Sequence, residues 1–208
     1  MNHLSRVDCL ANRFSIMRHG QSKANARGII VSRIENDQRG DYGLTELGRQ
    51  QVLAAARCCG MPEGTVICSS DFSRARQTAE IVRAQLGAPP VVDAPALRER
   101  CFGDLEGTAT GNYARVWAAD AAGTGNTGTG NTGTGEPAGG VEPAAAVLDR
   151  TTALVADLER RYAGRDILLV SHGDTLQILQ TGFLRMDPAA HRRLPPLGTA
   201  EIRALRPG

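Results

Sequence analysis

Residues 166–173 read Asp-Ile-Leu-Leu-Val-Ser-His-Gly, and this stretch decides the fold. Gly164 and Gly173 bracket residues 166–171, a short, unbroken apolar run. Such a run is the mark of a strand buried on both faces, as in a parallel sheet covered by helices. The segments on either side fit that reading. Upstream, Val147, Leu148, Thr151, Leu154, Val155, Leu158 and Tyr162 share one face at helical spacing. Downstream, a helix is expected from about residue 174 to 184 and a last strand near residues 200–205.

Further out, residues 13–17 (RFSIM) and 65–69 (TVICS) have strand composition, and Val91 and Val92 suggest a short third strand. A helix opens at Leu44-Thr45-Glu46 and runs to about Cys58, with the Thr45 hydroxyl placed to cap it. A second helix over residues 73–86 carries Ala75, Thr78, Ala79, Val82 and Leu86 on one face. Strands separated by helices imply the α/β class: a three-layer α/β/α sandwich with a mainly parallel central sheet and helices on both faces.

With 208 residues the chain is long enough for one mid-sized domain, expected over residues 12–207. One segment departs from the rest. Residues 123–135 read GTGNT-GTGNT-GTG, without charge or large apolar groups. That composition cannot offset its ordering entropy, so a flexible Gly/Thr-rich insertion is expected at about residues 118–142. The 24 basic and 22 acidic side chains give a net charge of +2, which argues against nucleic-acid and membrane-surface partners. The five cysteines form no CxxC pair and are odd in number, so reduced thiols in a cytoplasmic protein are the simpler reading. No signal-peptide core opens the chain, and no apolar run approaches the roughly 18 residues needed to span a bilayer. The oligomeric state is not legible.

Polar residues just past the carboxyl ends of parallel strands converge on one crevice. Here RFSIM is followed by Arg18, His19 and Gly20; TVICS by Ser70 and then Arg74; DILLVS by His172 and Gly173. Two imidazoles and two guanidinium forks therefore leave strand ends, with glycines beside both histidines whose backbone amides could approach an anion. The set suits a tetrahedral oxyanion, most plausibly phosphate. A metal is disfavoured, since the strand ends lack carboxylates and arginine repels cations. Three carboxyl groups in one loop, Glu99, Asp104 and Glu106, compete for an acid role, and spacing does not choose among them.

Residues 14–25, FSIMRHGQSKAN, resemble the signature of the histidine phosphatase superfamily, also called phosphoglycerate mutase-like. LTELGRQQ (44–51), SSDFSRARQTA (69–79), LRERCFGDLEG (97–107) and VSHGD (170–174) are similar to further motifs of that family, in the same order. The resemblance implies His19 as nucleophile, passing through a phosphohistidine, and Glu99 as proton donor and acceptor. It implies Arg18, Arg74 and His172 around the phosphoryl oxygens, with Asn25 and the Gly173 amide as further contacts, and neither metal nor cofactor. Gln21 stands where many members have glutamate, and neither residue is the nucleophile.

The mutases of the family resemble one another in a basic insertion that reads a substrate carboxylate. The corresponding stretch here, between Trp117 and Val147, is the Gly/Thr repeat without a basic residue. Hydrolysis is therefore expected: a metal-independent phosphomonoesterase of the histidine acid type, acting on a small phosphorylated metabolite. Arg27, Arg33 and Arg39 could meet a second acidic group on the substrate or form a solvated loop. The alternatives are a phosphoglycerate mutase-type phosphotransferase, a protein phosphohistidine phosphatase and a non-catalytic phosphate-binding protein.

Overall fold

The computed structural model describes residues 1–5, 9–37, 41–123 and 139–206. Its sheet has five strands: β1 (Arg13–Arg18), β2 (Val66–Ser69), β3 (Val92–Asp93), β4 (Asp166–Ser171) and β5 (Ile202–Ala204), in the order β3-β2-β4-β1-β5. All pairings are parallel except that of β5, which runs antiparallel to β1. The helices are α1 (Lys23–Arg27), α2 (Ile34–Asp37), α3 (Glu46–Cys58), α4 (Ser73–Leu86), α5 (Tyr113–Ala121), α6 (Ala144–Arg161) and α7 (Gly173–Phe183).

The unbroken run of β4 buries both of its faces. Ile167 and Leu169 join Phe14 and Ile16 against Val155, Leu158, Leu176 and Leu179 of α6 and α7. Leu168 and Val170 join Met17 and Ile67 against Val52, Ala56, Ala75, Ala79 and Val82 of α3 and α4. Successive residues of a strand point to opposite faces, so one apolar strand nucleates two cores. Burying each such Leu or Ile contributes roughly 1.5–3 kcal/mol. This is the expected α/β/α sandwich.

Register then positions the site. Arg18 on β1 lies opposite Ser171 on β4, and the His19 N–H donates to the Ser171 carbonyl at 3.0 Å. His19 and His172 therefore leave adjacent strands side by side. Ser70 leaves β2 next to them, its N–H on the Val170 carbonyl at 3.0 Å.

The expected insertion is narrower than residues 118–142. Helix α5 extends through Ala121, and its buried Asp120 accepts from Arg100 at 2.6 and 2.9 Å. On the far side Val141 is buried and Glu142 binds Arg150. An alanine-rich stretch with one buried ion-pair partner is good helix, and composition alone hid that partner. Residues 124–138, with most of the repeat, lie outside the described residues.

Candidate active site

Helix α3 holds the loop after β1 by close backbone contact. Thr45 caps α3, its Oγ1 accepting from the Gly48 N–H at 3.0 Å. A Cβ on Gly48 would stand 2.1 Å from the Gln21 carbonyl, and one on Gly20 would stand 2.5 Å from the Gly48 carbonyl. The two glycines thus let the segment after His19 lie against the first turn of α3. Gly20 is not an anion-binding amide as the sequence suggested: its N–H donates to Thr78 Oγ1 at 3.2 Å. Gly173 is different. It opens α7 at the cavity wall, and a Cβ there would crowd Arg18 Nε at 3.4 Å.

The rings of His19 and His172 lie edge to face, with centroids 5.2 Å apart. His19 Nδ1 is 2.7 Å from the Gly20 carbonyl, which can only accept, so Nδ1 carries the proton. Nε2 is then left with its lone pair and accepts from Arg74 Nε at 3.2 Å. Burial, then the charges of Arg74 and Arg18, hold the His19 pKa well below 6.5, so the imidazole is neutral. His172 Nε2 lies 2.9 Å from Ser70 Oγ. Burial and the Arg74 charge push its pKa well below 6.5 too.

Among the described residues, three buried side-chain nitrogens make no hydrogen bond within the protein: Arg18 Nε, Arg74 Nη1 and His172 Nδ1. Their neighbours are otherwise occupied. Arg18 Nη1 donates to the Leu197 carbonyl at 2.8 Å and Arg74 Nη2 to the Val31 carbonyl at 2.9 Å. Buried polar groups are almost always paired, so two unpaired guanidinium N–H groups and an imidazole nitrogen in one strand-end cluster are chemically suited to an acceptor with several oxygens.

Glu99 lines the same cavity of about 320 Å³ as His19, Arg18, Arg74, Asn25 and Gly173. Its Oε1 accepts from the Arg100 N–H at 3.0 Å, Thr175 Oγ1 at 3.1 Å and the Thr175 N–H at 3.4 Å. Oε2 takes none of these bonds. Burial raises the Glu99 pKa, with the nearby Asp174 charge adding to it and Arg74 opposing. Its rivals lie elsewhere. Glu106 is held by Ser32 at 2.7 and 2.8 Å and by Asn36 at 2.8 Å, and Asp104 packs against Gly139 outside this cavity.

Asn25 reaches the cavity while its Oδ1 completes a capping box with Ser22, accepting its N–H and Oγ at 3.0 Å each. Gln21 accepts from Thr45 Oγ1 at 2.8 Å and is absent from the lining. Arg27 lies over the Tyr42 ring, and neither it nor the exposed Arg33 lines the cavity; Arg39 lies outside the described residues. Sequence reasoning missed Trp117, Asp174, Gln177 and Arg192, all part of the wall. Asp174 stood within the quoted VSHGD motif. Arg192 carried no local signal, because a distant segment brings it in. No group of three or more His, Cys, Asp or Glu side chains among the described residues gathers where it could hold a metal ion.

Two imidazoles, two guanidiniums and a carboxyl gather at one edge of an α/β sandwich, a chemistry able to hold a tetrahedral oxyanion against an imidazole nitrogen. Consistent with it, the chain belongs to the histidine phosphatase superfamily (branch 1), which it matches over residues 14–208. It is 32% identical over 198 residues to the glucosyl-3-phosphoglycerate phosphatase of Mycobacterium tuberculosis (strain ATCC 25618 / H37Rv), covering 91% of this chain and 83% of that protein. It is 28% identical over 186 residues to the metal-independent phosphoserine phosphatase of Arabidopsis thaliana, covering 89% and 73%. The native structure of a mycobacterial glucosyl-3-phosphoglycerate phosphatase superposes with a TM-score of 0.74 at 28% identity, covering 92% of this chain and 88% of that one.

Proposed function

We propose that this protein hydrolyses small phosphorylated metabolites without a metal ion, through a phosphohistidine on His19 Nε2. The observation that carries the reading is the trio of orphaned nitrogens on Arg18, Arg74 and His172, grouped around a neutral imidazole. Phosphomonoester oxygens satisfy those donors, which strengthen as charge builds in the transition state. His19 Nε2 attacks phosphorus as the ester P–O bond breaks. Glu99 passes its proton to the departing alkoxide, and its raised pKa keeps that proton available. Glu99, now a carboxylate, takes a proton from water as the water oxygen attacks phosphorus. The P–N bond breaks, phosphate leaves and His19 is again neutral. Asn25 Nδ2 and the Gly173 N–H, at the start of α7, are further oxygen contacts.

The names of the two relatives support a phosphatase over a mutase, as does the absence of any basic residue from the sequence between Trp117 and Val147. Five free cysteines fit a reducing, cytoplasmic setting, and among the described residues no helix is long and apolar enough to cross a membrane. The test is phosphate release from p-nitrophenyl phosphate in EDTA, for wild type and His19→Ala. Release that survives chelation and is lost in the variant is the expected result. Equal release by the variant overturns the mechanism. Isomerisation of a phosphoglycerate without phosphate release points to the mutase.

A further inference from the structure

We infer that Arg192, stacked on Trp117, binds a carboxylate of the substrate, so that the preferred substrates are phosphomonoesters of small carboxylic acids. The inference rests on the phosphatase reading above and names its substrate class. Arg192 lies in the 3-10 turn Pro188–Arg193, and its guanidinium carbon sits 3.7 Å from the centre of the Trp117 ring. Both residues line the cavity that holds His19 and Glu99. Trp117 is itself fixed, its Nε1 donating to Asp174 Oδ1 at 2.8 Å, with its ring stacked 5.4 Å from that of Tyr113. The arginine thereby lies over a fixed aromatic ring, with Nη1 donating to Gln177 Oε1. A guanidinium held at two points loses little freedom when a carboxylate meets its remaining donors, and a planar fork matches a planar carboxylate.

Arg192 forms no ion pair among the described residues. Asp174, the carboxylate in the same wall, is committed to Arg100 at 3.3 Å, to His191 at 3.1 Å and to Trp117. Asp174 is thus shared among three other partners, and its charge reaches the Arg192 guanidinium at the cavity wall without an ion pair between them. A single cation suits a singly charged carboxylate, where a second phosphate calls for more than one. The cation that the Gly/Thr repeat does not supply comes instead from the turn after α7.

A matched substrate pair tests this. Glycerate 3-phosphate and glycerol 3-phosphate differ in a carboxylate against a hydroxymethyl group. Wild type is expected to prefer the glycerate. Arg192→Ala is expected to reduce that preference in kcat/KM at least tenfold, through KM, and Arg192→Lys to restore part of it. Melting curves and p-nitrophenyl phosphate turnover control for folding and for the phosphate seat. No preference in wild type, or an equal loss on both substrates in Arg192→Ala, overturns the inference. Should wild type turn over no phosphomonoester, the hydrolase reading fails instead. Calorimetric affinities for the same pair then decide the carboxylate contact: a glycerate advantage lost in Arg192→Ala upholds it, and equal affinities overturn it.

Discussion

Burial moves His19 and Glu99 in opposite directions, and both shifts favour the same chemistry. A buried imidazole beside two arginines is disfavoured from protonating, so His19 keeps a free lone pair for the proposed attack well below pH 6.5. A carboxyl in the same pocket is disfavoured from ionising, so Glu99 keeps its proton above its ordinary 4.5. Activity is then expected to fall on the alkaline side as Glu99 ionises, giving the kcat/KM profile an alkaline limb displaced upward from an ordinary carboxyl. Glu99→Gln is expected to lower kcat by about 10²–10⁴-fold and to remove that alkaline limb, as pH–rate profiles check. The same shift has a stability consequence. Folding raises the Glu99 pKa, so its ionisation opposes folding above pH 4.5 and not below it. Glu99→Gln is expected to melt higher than wild type at pH 7, and the advantage to vanish as the pH falls through 4.5.

At the scale of elements, the first turn of α3 acts as a stop for the loop behind His19. Its Thr45 cap is worth about 0.5–2 kcal/mol by the usual cost of removing such a hydroxyl, which chemical denaturation of Thr45→Ala measures. Gly48→Ala is the sharper case. Its methyl would meet the Gln21 carbonyl at 2.1 Å, backbone against backbone, so neither side can rotate away. Overpacking of this kind costs about 1–3 kcal/mol, and the loop carrying His19 must shift. Gly48→Ala is expected to lose both stability and kcat, measured by denaturation and by steady-state kinetics.

Across the whole molecule, Arg100 joins elements far apart in the chain. It is 1% exposed and binds Asp120 of α5 and Asp174 of α7, while its Nε donates to the Glu142 carbonyl at 2.7 Å. Arg100→Met leaves two buried carboxylates without their cation, a change of about 3–5 kcal/mol. Burial alone would raise the Asp174 pKa, but His191 and Arg100 together hold it below 3.8. Its contribution is therefore present above pH 3.8 and fades as the pH falls through its lower folded value. The deficit of Arg100→Met is expected to be largest at neutral pH and to shrink in acid, which denaturation across pH reports. Since Asp174 also orients Trp117, the variant is expected to weaken carboxylate substrates more than p-nitrophenyl phosphate.

The apolar run before His172, the helical spacing of residues 73–86 and the Thr45 cap were legible from the sequence, because strand and helix periodicities are written in neighbouring residues. The strand-end rule likewise brought His19, Arg18, Arg74 and His172 to one crevice; in the structure the first three line the cavity and the His172 ring lies 5.2 Å from that of His19. It was mute where contact depends on packing. Gly20 read as an anion-binding glycine, but its N–H goes to Thr78. Spacing left Glu99, Asp104 and Glu106 open and only the resemblance favoured Glu99, whereas in the fold Ser32 and Asn36 hold Glu106. Residues 118–121 read as insertion until Arg100 met Asp120. The Arg192–Trp117 wall had no sequence signature at all, since a turn and a helix meet there only after the sheet and α7 have brought them together. The sequence by itself determined the strands, the helices α3, α4, α6 and α7, and which residues end the strands. Only the tertiary structure brought Glu99 to the wall that His19 and Arg74 share, and Arg192 onto Trp117, because those contacts rest on hydrogen bonds and ring contacts between segments that share no local pattern.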